Sequence, residues 1–368
     1  MIEPESLDRL SEAMKVCVAS DAHLLDEMRG EVRPLRTQVR RIQARSATAI
    51  SLVGTDGGNN QLRFDPFLVQ LIRVVDSSQN EYCLEVITPN TPFEALNLRH
   101  FEPDGRGKTP LGRMAEFLGL KDLTGLSPVF KAKDRSPSWV NVYREMTEWA
   151  VLFSLIREKE FGTDTVIVCD GFLRSKMFSA DLFGKLREGM EECILRQYER
   201  TKRRVYVAGI AKHSSVLQVY RMALALEGVM KTSYACYLEV PKEMEQRAYK
   251  WDEYIERQDK FVAGKMFFVK FGNGPYDPIW AIDLLVSQKE SAQIVFGYLL
   301  KDSEDGFPVP FYPECLQRAH DHAALVDFDL QLLEDQIVDA LRQRLGEKKW
   351  VVDELALQTA DPSGARYA

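Results

Sequence analysis

A mixed α/β fold, a sheet with helices on its faces, is what this chain of 368 residues predicts, on three observations. Short apolar, β-branched runs at about 49–55, 165–170 and 205–211 read as buried strands. Longer stretches with apolar residues three and four apart, such as 138–160, read as amphipathic helices between them. The first two runs also end alike, as T-D-G-G at 55–58 and C-D-G at 169–171. That pattern puts Asp56 and Asp170 where strands meet the rim of a sheet, and ligands of open α/β sheets bind in that crevice. Asp-Gly is equally a hairpin-turn dipeptide, so a paired-carboxylate metal site and two plain turns are both open at this point.

Length alone allows two domains, at about 150 residues each, or one large domain with insertions. Charged residues at 28% and hydrophobic residues at 45% are ordinary for a globular chain. A formal net charge of −7 argues against an overall basic coat but not against a local basic groove. None of the six cysteines forms a C-x-x-C pair, which disfavours zinc ribbons and disulfide frameworks. No charged-then-apolar leader opens the chain, and the longest apolar stretch, 149–156, is too short to span a bilayer. The expectation is a reducing, cytoplasmic protein with no membrane contact.

Residues 1–47 read as a helical, amphipathic arm, with Leu7, Leu10, Met14 and Val18 at helical spacing. Its basic run includes Arg36, Arg40 and Arg41, either a solvated helix face or a phosphate-contacting surface for DNA. The strand at 49–55 leads to Asp56 and a polar turn at 59–61, and strands at 67–75 and 82–87 follow. Residues 89–137, rich in Pro, Gly and charge, read as an insertion with one short helix near 111–118. The helix at 138–160 has a core stripe of Val142, Met146, Trp149, Phe153 and Ile156. Glu145 and Glu148 lie along or beside it, and a carboxylate entering so apolar a stretch needs a cation or hydrogen-bonding partner. The strand ending at Asp170 comes next, then a helix over 179–200, a strand at 205–211 ending at Lys212, and a helix at 214–225. Lys212 is either a phosphate grip or a surface lysine. Strands at 266–271 and 279–285 and helices at 287–300 and 328–345 complete the pattern.

The order β-β-β-α-β-α-β-α is that of ribonuclease H-like folds. Four blocks make the likeness narrower: V-G-T-D-G-G, V-I-V-C-D-G-F-L, V-A-G-I-A-K-H-S and F-Y-P-E-C-L-Q-R-A-H. In this order they resemble the NurA nuclease family. The resemblance implies a core over 48–345 interrupted by the insertion at about 89–137, with a tail at 346–368. It implies a catalytic and metal-binding set of Asp56, a helix glutamate and Asp170, holding two Mn²⁺ or Mg²⁺ ions. Glu148 is the first choice for the glutamate and Glu145 the second. It also implies a late histidine, which the P-E-C-L-Q-R-A-H block places at His320. Where many members carry Ser after Asp-Gly, this chain carries Gly58.

Such a carboxylate set suits hard divalent cations, which prefer oxygen donors. Two ions about 3.5–4 Å apart stabilise both the attacking and the leaving oxygen of a phosphodiester. The activity implied is metal-dependent DNA end processing, 5′-exonucleolytic with single-strand endonuclease action, by a homodimer working with a hexameric HerA-type ATPase. The alternative is a catalytically weak nuclease-fold scaffold that docks on a DNA translocase. The chain has no G-x-x-x-x-G-K-[ST], G-x-S-x-G or H-E-x-x-H motif, which removes P-loop, serine-hydrolase and zincin chemistry.

Overall fold

The computed structural model describes residues 3–45, 50–64, 67–132, 136, 138–249, 260–304, 306–348 and 350–351; of residues 5, 50–64, 67–68 and 327–328 it describes the backbone alone. Among the described residues nine strands form one sheet: β1 (Arg40–Arg41), β2 (Ile50–Phe64), β3 (Phe67–Asp76), β4 (Glu81–Ile87), β5 (Asp164–Asp170), β6 (Val205–Ala211), β7 (Cys236–Glu239), β8 (Gly264–Lys270) and β9 (Ile279–Leu285). Their order is β1-β7-β8-β9-β6-β5-β2-β3-β4. β5 lies parallel to both β2 and β6, and every other neighbouring pair is antiparallel. The run β4-β3-β2-β5-β6 is the ribonuclease H-like core that the order of elements predicts. Strands β9, β8, β7 and β1 widen it on the β6 side.

The buried strands sort their side chains by alternation. On β5, Ile167 joins the core under α5 (Trp139–Glu158) and α6 (Leu182–Thr201). Val166 and Val168 face the other way, under α9 (Ala292–Ser303) and α10 (Glu314–Ala323). A third cluster joins the end of α1 (Pro4–Val32) to α7 (Ser215–Leu226) and α8 (Lys242–Tyr249), with Val32, Leu35 and Tyr220 at its centre. A further helix, α11 (Asp327–Leu345), follows α10.

Several expectations change. The arm is not helical throughout 1–47. The helix ends at Val32, a 3₁₀ segment runs over Arg33–Gln38, and Arg40 and Arg41 form an edge strand on β7. Burial of Ile42 against Tyr237 and Phe296 outweighs helix continuation there. Residues 59–61 are not a turn, because β2 continues to Phe64 and pairs them with Ile72, Leu71 and Gln70 of β3. Asp56 is therefore inside a strand rather than at its end. The insertion holds more order than one helix: α2 (Phe93–His100), α3 (Pro110–Phe117) and α4 (Pro128–Lys131) pack Phe93, Met114 and Phe130 onto α5. The buried His100 ties it to the sheet. Tyr143 donates to Glu85 Oε2 at 2.6 Å, so its hydroxyl receives the proton of His100 Nε2 at 2.5 Å. Beyond Val351 the tail at 346–368 lies outside the described residues.

Candidate active site

Two strands and one helix build the site. β5 ends at Asp170 because the chain turns there through Gly171, whose φ of 120° is open to glycine and strained for other residues. The parallel pairing of β2 with β5 runs from Ile50 opposite Asp164 to Thr55 opposite Cys169. The next residues on the two strands are Asp56 and Asp170. β2 passes this point without breaking, since its hairpin with β3 keeps it paired, with Asp56 opposite Val75. Asp56 thus stands beside Asp170 in backbone register; its side chain is outside the described set.

α5 crosses the same end of the sheet. A cavity of about 230 Å³ opens between them, lined in part by Glu145, Glu148, Trp149, Asp170 and Arg174. Both glutamates compared in the sequence reach it, one turn apart. Glu148 is half-buried and within 3.3 Å of Arg144 Nε. Glu145 is more enclosed and accepts a hydrogen bond from the Ser175 hydroxyl. Burial pushes the Glu145 carboxyl above the usual glutamate range, against the opposing pull of Ser175. Asp170 accepts from Lys212 Nζ at 2.6 Å, so the structure brings these two predicted residues together. Lys212 follows β6, whose Ile210 pairs with Asp170.

The other predicted residues lie elsewhere. His320 is exposed near the end of α10, on the face of the sheet opposite α5, and does not line the cavity. Arg36 precedes β1, and Arg40 and Arg41 form it, five strands along the sheet from β5. At strand spacing that is about 24 Å. Arg174, which lines the cavity, and Ser175, which bonds Glu145, had no signal in the sequence beyond their proximity to the C-D-G block, and Asp283, the partner of Arg174, had none at all.

What this arrangement can do follows from its donors. Glu145, Glu148 and Asp170 offer carboxylate oxygens, which fit a hard divalent cation and not a soft one. Among the described residues no three such donors converge closely enough to hold a metal. The fourth carboxylate in register, Asp56, is not among the side chains described.

No family model and no curated protein matches the chain. Among solved structures it is similar to the NurA nuclease from Sulfolobus solfataricus, at 12% identity over 94% of this chain and 98% of that one, with a TM-score of 0.40. A structure of NurA bound to dAMP and manganese matches at 10% identity over 88% of this chain and 94% of that one, TM-score 0.37. Endonuclease V from Streptomyces avermitilis matches at 13% identity over 85% of this chain and 94% of that one, TM-score 0.26.

Proposed function

We propose that this chain is a metal-dependent DNA nuclease. One observation carries the reading. In a ribonuclease H-like sheet, Asp56 and Asp170 are successive to paired residues on adjacent parallel strands, and Asp170 shares a cavity with two glutamates of the overlying helix. The order of the four sequence blocks, which resembles NurA, supports the same reading.

Asp56, Asp170 and Glu148 or Glu145 would hold Mn²⁺ or Mg²⁺. Cations bound by such a set supply charge stabilisation at the attacking and leaving oxygens of a phosphodiester. The chain's own residues do the rest. Lys212 Nζ lies 2.6 Å from Asp170 Oδ2, a cation that would meet phosphate charge beside that carboxylate. Trp149 and Leu152 give the cavity an apolar wall that limits water and strengthens electrostatics inside it. By the same resemblance, the protein acts as a homodimer with a HerA-type hexameric ATPase in DNA end resection or defence. It removes nucleotides from 5′ ends and cuts single strands. The role of His320 as a ligand or proton donor rests on the resemblance alone, since it does not line the cavity. The test is cleavage of end-labelled linear DNA with Mn²⁺, Mg²⁺ or EDTA, with and without the ATPase. Cation-dependent cleavage that Asp170→Asn removes is expected, and cleavage that survives EDTA would overturn the reading.

The alternative is a catalytically weak scaffold of the same fold, docked on a DNA translocase. A translocase partner bound normally by a protein that cleaves no DNA with any cation would select it.

A further inference from the structure

Asp283 lies on β9 with no exposure at all, and the carboxylate set has no use for it. Arg174 reaches it with a fork, Nε to Oδ2 at 2.9 Å and Nη2 to Oδ1 at 2.6 Å. The third guanidinium nitrogen, Nη1, donates to the buried Glu245 at 2.8 Å. The rings of Phe172 and Tyr249 flank the guanidinium at 5.0 and 5.6 Å. A buried ion pair of this kind gains little stability over well-packed apolar residues. Its place in the fold points to another use.

The fork sits in the segment 171–175, which leaves Asp170 and returns to α5. Gly171 N–H donates to Ile210 O at 2.8 Å, and Leu173 N–H donates to Asp283 Oδ2 at 3.1 Å. Leu173 O accepts from Ala263 at 2.8 Å and Gly264 at 3.0 Å. Ser175 N–H donates to Phe261 O at 2.9 Å, while its hydroxyl donates to Glu145. The segment lies so close over β6 that a Cβ at Gly209 would stand 2.5 Å from Gly171 O. One end of the segment is thus Asp170, and the other touches Glu145.

We propose that Arg174 and Asp283 are positioning residues. They hold segment 171–175 in one arrangement and so fix the spacing of the Asp170 and Glu145 carboxylates that a divalent cation requires, touching neither the cation nor DNA. This rests on the nuclease reading of the same cavity. Outer groups that orient metal ligands typically change affinity by about 10–100-fold when removed, and a lysine cannot replace the planar fork of an arginine.

The experiment is calorimetric titration with MnCl₂ of the wild type, Asp170→Asn, Asp283→Asn and Arg174→Lys. Circular dichroism reads their fold, and hydrogen exchange reads the amides of 171–175. In wild type, Mn²⁺ binding that Asp170→Asn removes is expected. Folded Asp283→Asn should bind Mn²⁺ about 10–100-fold more weakly, with faster exchange at 171–175. If Asp283→Asn does not fold, Arg174→Lys gives the same readings with the charge kept. Unchanged Mn²⁺ affinity in a folded variant overturns the positioning role and leaves the nuclease reading standing. Absence of any Mn²⁺ binding dependent on Asp170 removes the nuclease reading, and the positioning role with it.

Discussion

Asp170 and its neighbours set the first predictions, because the cavity joins side chains from three elements. Changing Asp170 to Asn removes charge but keeps shape, so cleavage is expected to fall more than about 100-fold while thermal stability stays near wild type. Near-normal rates on end-labelled DNA would take Asp170 out of the site. The two glutamates separate in the same assay. Glu145→Gln and Glu148→Gln cannot both be harmless if α5 supplies a ligand, and the larger loss, compared across Mn²⁺ concentrations, identifies it. Both glutamates and Asp170 were legible in the sequence, since a carboxylate within an apolar run needs a reason to be there. The Arg174–Asp283 fork was not. Its two residues are more than a hundred positions apart, and neither belongs to a periodic pattern or a motif.

Elements proved legible where their apolar period was long and hidden where packing overruled local preference. β5, β6 and α5 follow their sequence signals closely. β2 does not. Its Asn-Asn-Gln stretch at 59–61 reads as a turn, yet a continuous ladder with β3 carries it through to Phe64. β1 escaped notice because two arginines become a strand only by joining an existing edge. The β3–β4 turn offers a prediction at this scale. Asp76 is buried, which alone would raise its pKa. The side chains of Asn80 and Tyr82 and the backbone amides of Asn80 and Ser78 donate to it and hold the carboxyl below the usual aspartate range. A depressed folded-state pKa contributes stability above the unfolded value and loses it as pH falls through the folded one. Asp76→Asn is expected to cost about 1–3 kcal/mol near neutrality. The gap to wild type should close below about pH 4. Urea midpoints measured from pH 3 to 7 would show the two curves converging; parallel curves would remove Asp76 as their source.

For the whole molecule, the arginine face and the first helix carry expectations that do not depend on the cavity. Arg36, Arg40 and Arg41 are exposed at the far edge of the sheet from Asp170. If DNA tracks across the sheet, replacing all three with Ala should flatten the salt dependence of DNA binding by about 0.7–0.9 for each phosphate no longer neutralised. An unchanged slope would confine the DNA path to the cavity side. Leu7, Leu10, Met14 and Val18 on α1 are 52%, 47%, 58% and 72% exposed, an apolar stripe with no cover from the described residues of this chain. Light scattering is expected to report a dimer for the wild type and a monomer for Leu10→Glu with Met14→Glu. A wild-type monomer would end the dimer reading. No helix among the described residues is long and apolar enough to cross a membrane.

The pairing of β1 with β7 has a consequence in time. Arg40 meets Tyr237, so the first strand made is among the last to find its neighbour. At a synthesis rate of about 5–20 residues per second, the intervening chain of roughly two hundred residues takes about 10–40 s to emerge. Through that interval Arg40 and Arg41 wait unpaired, along with Ile42, whose final place is inside the core. A nascent chain stalled before residue 236 should therefore be cut by trypsin at Arg40 or Arg41, and one released after residue 285 should resist.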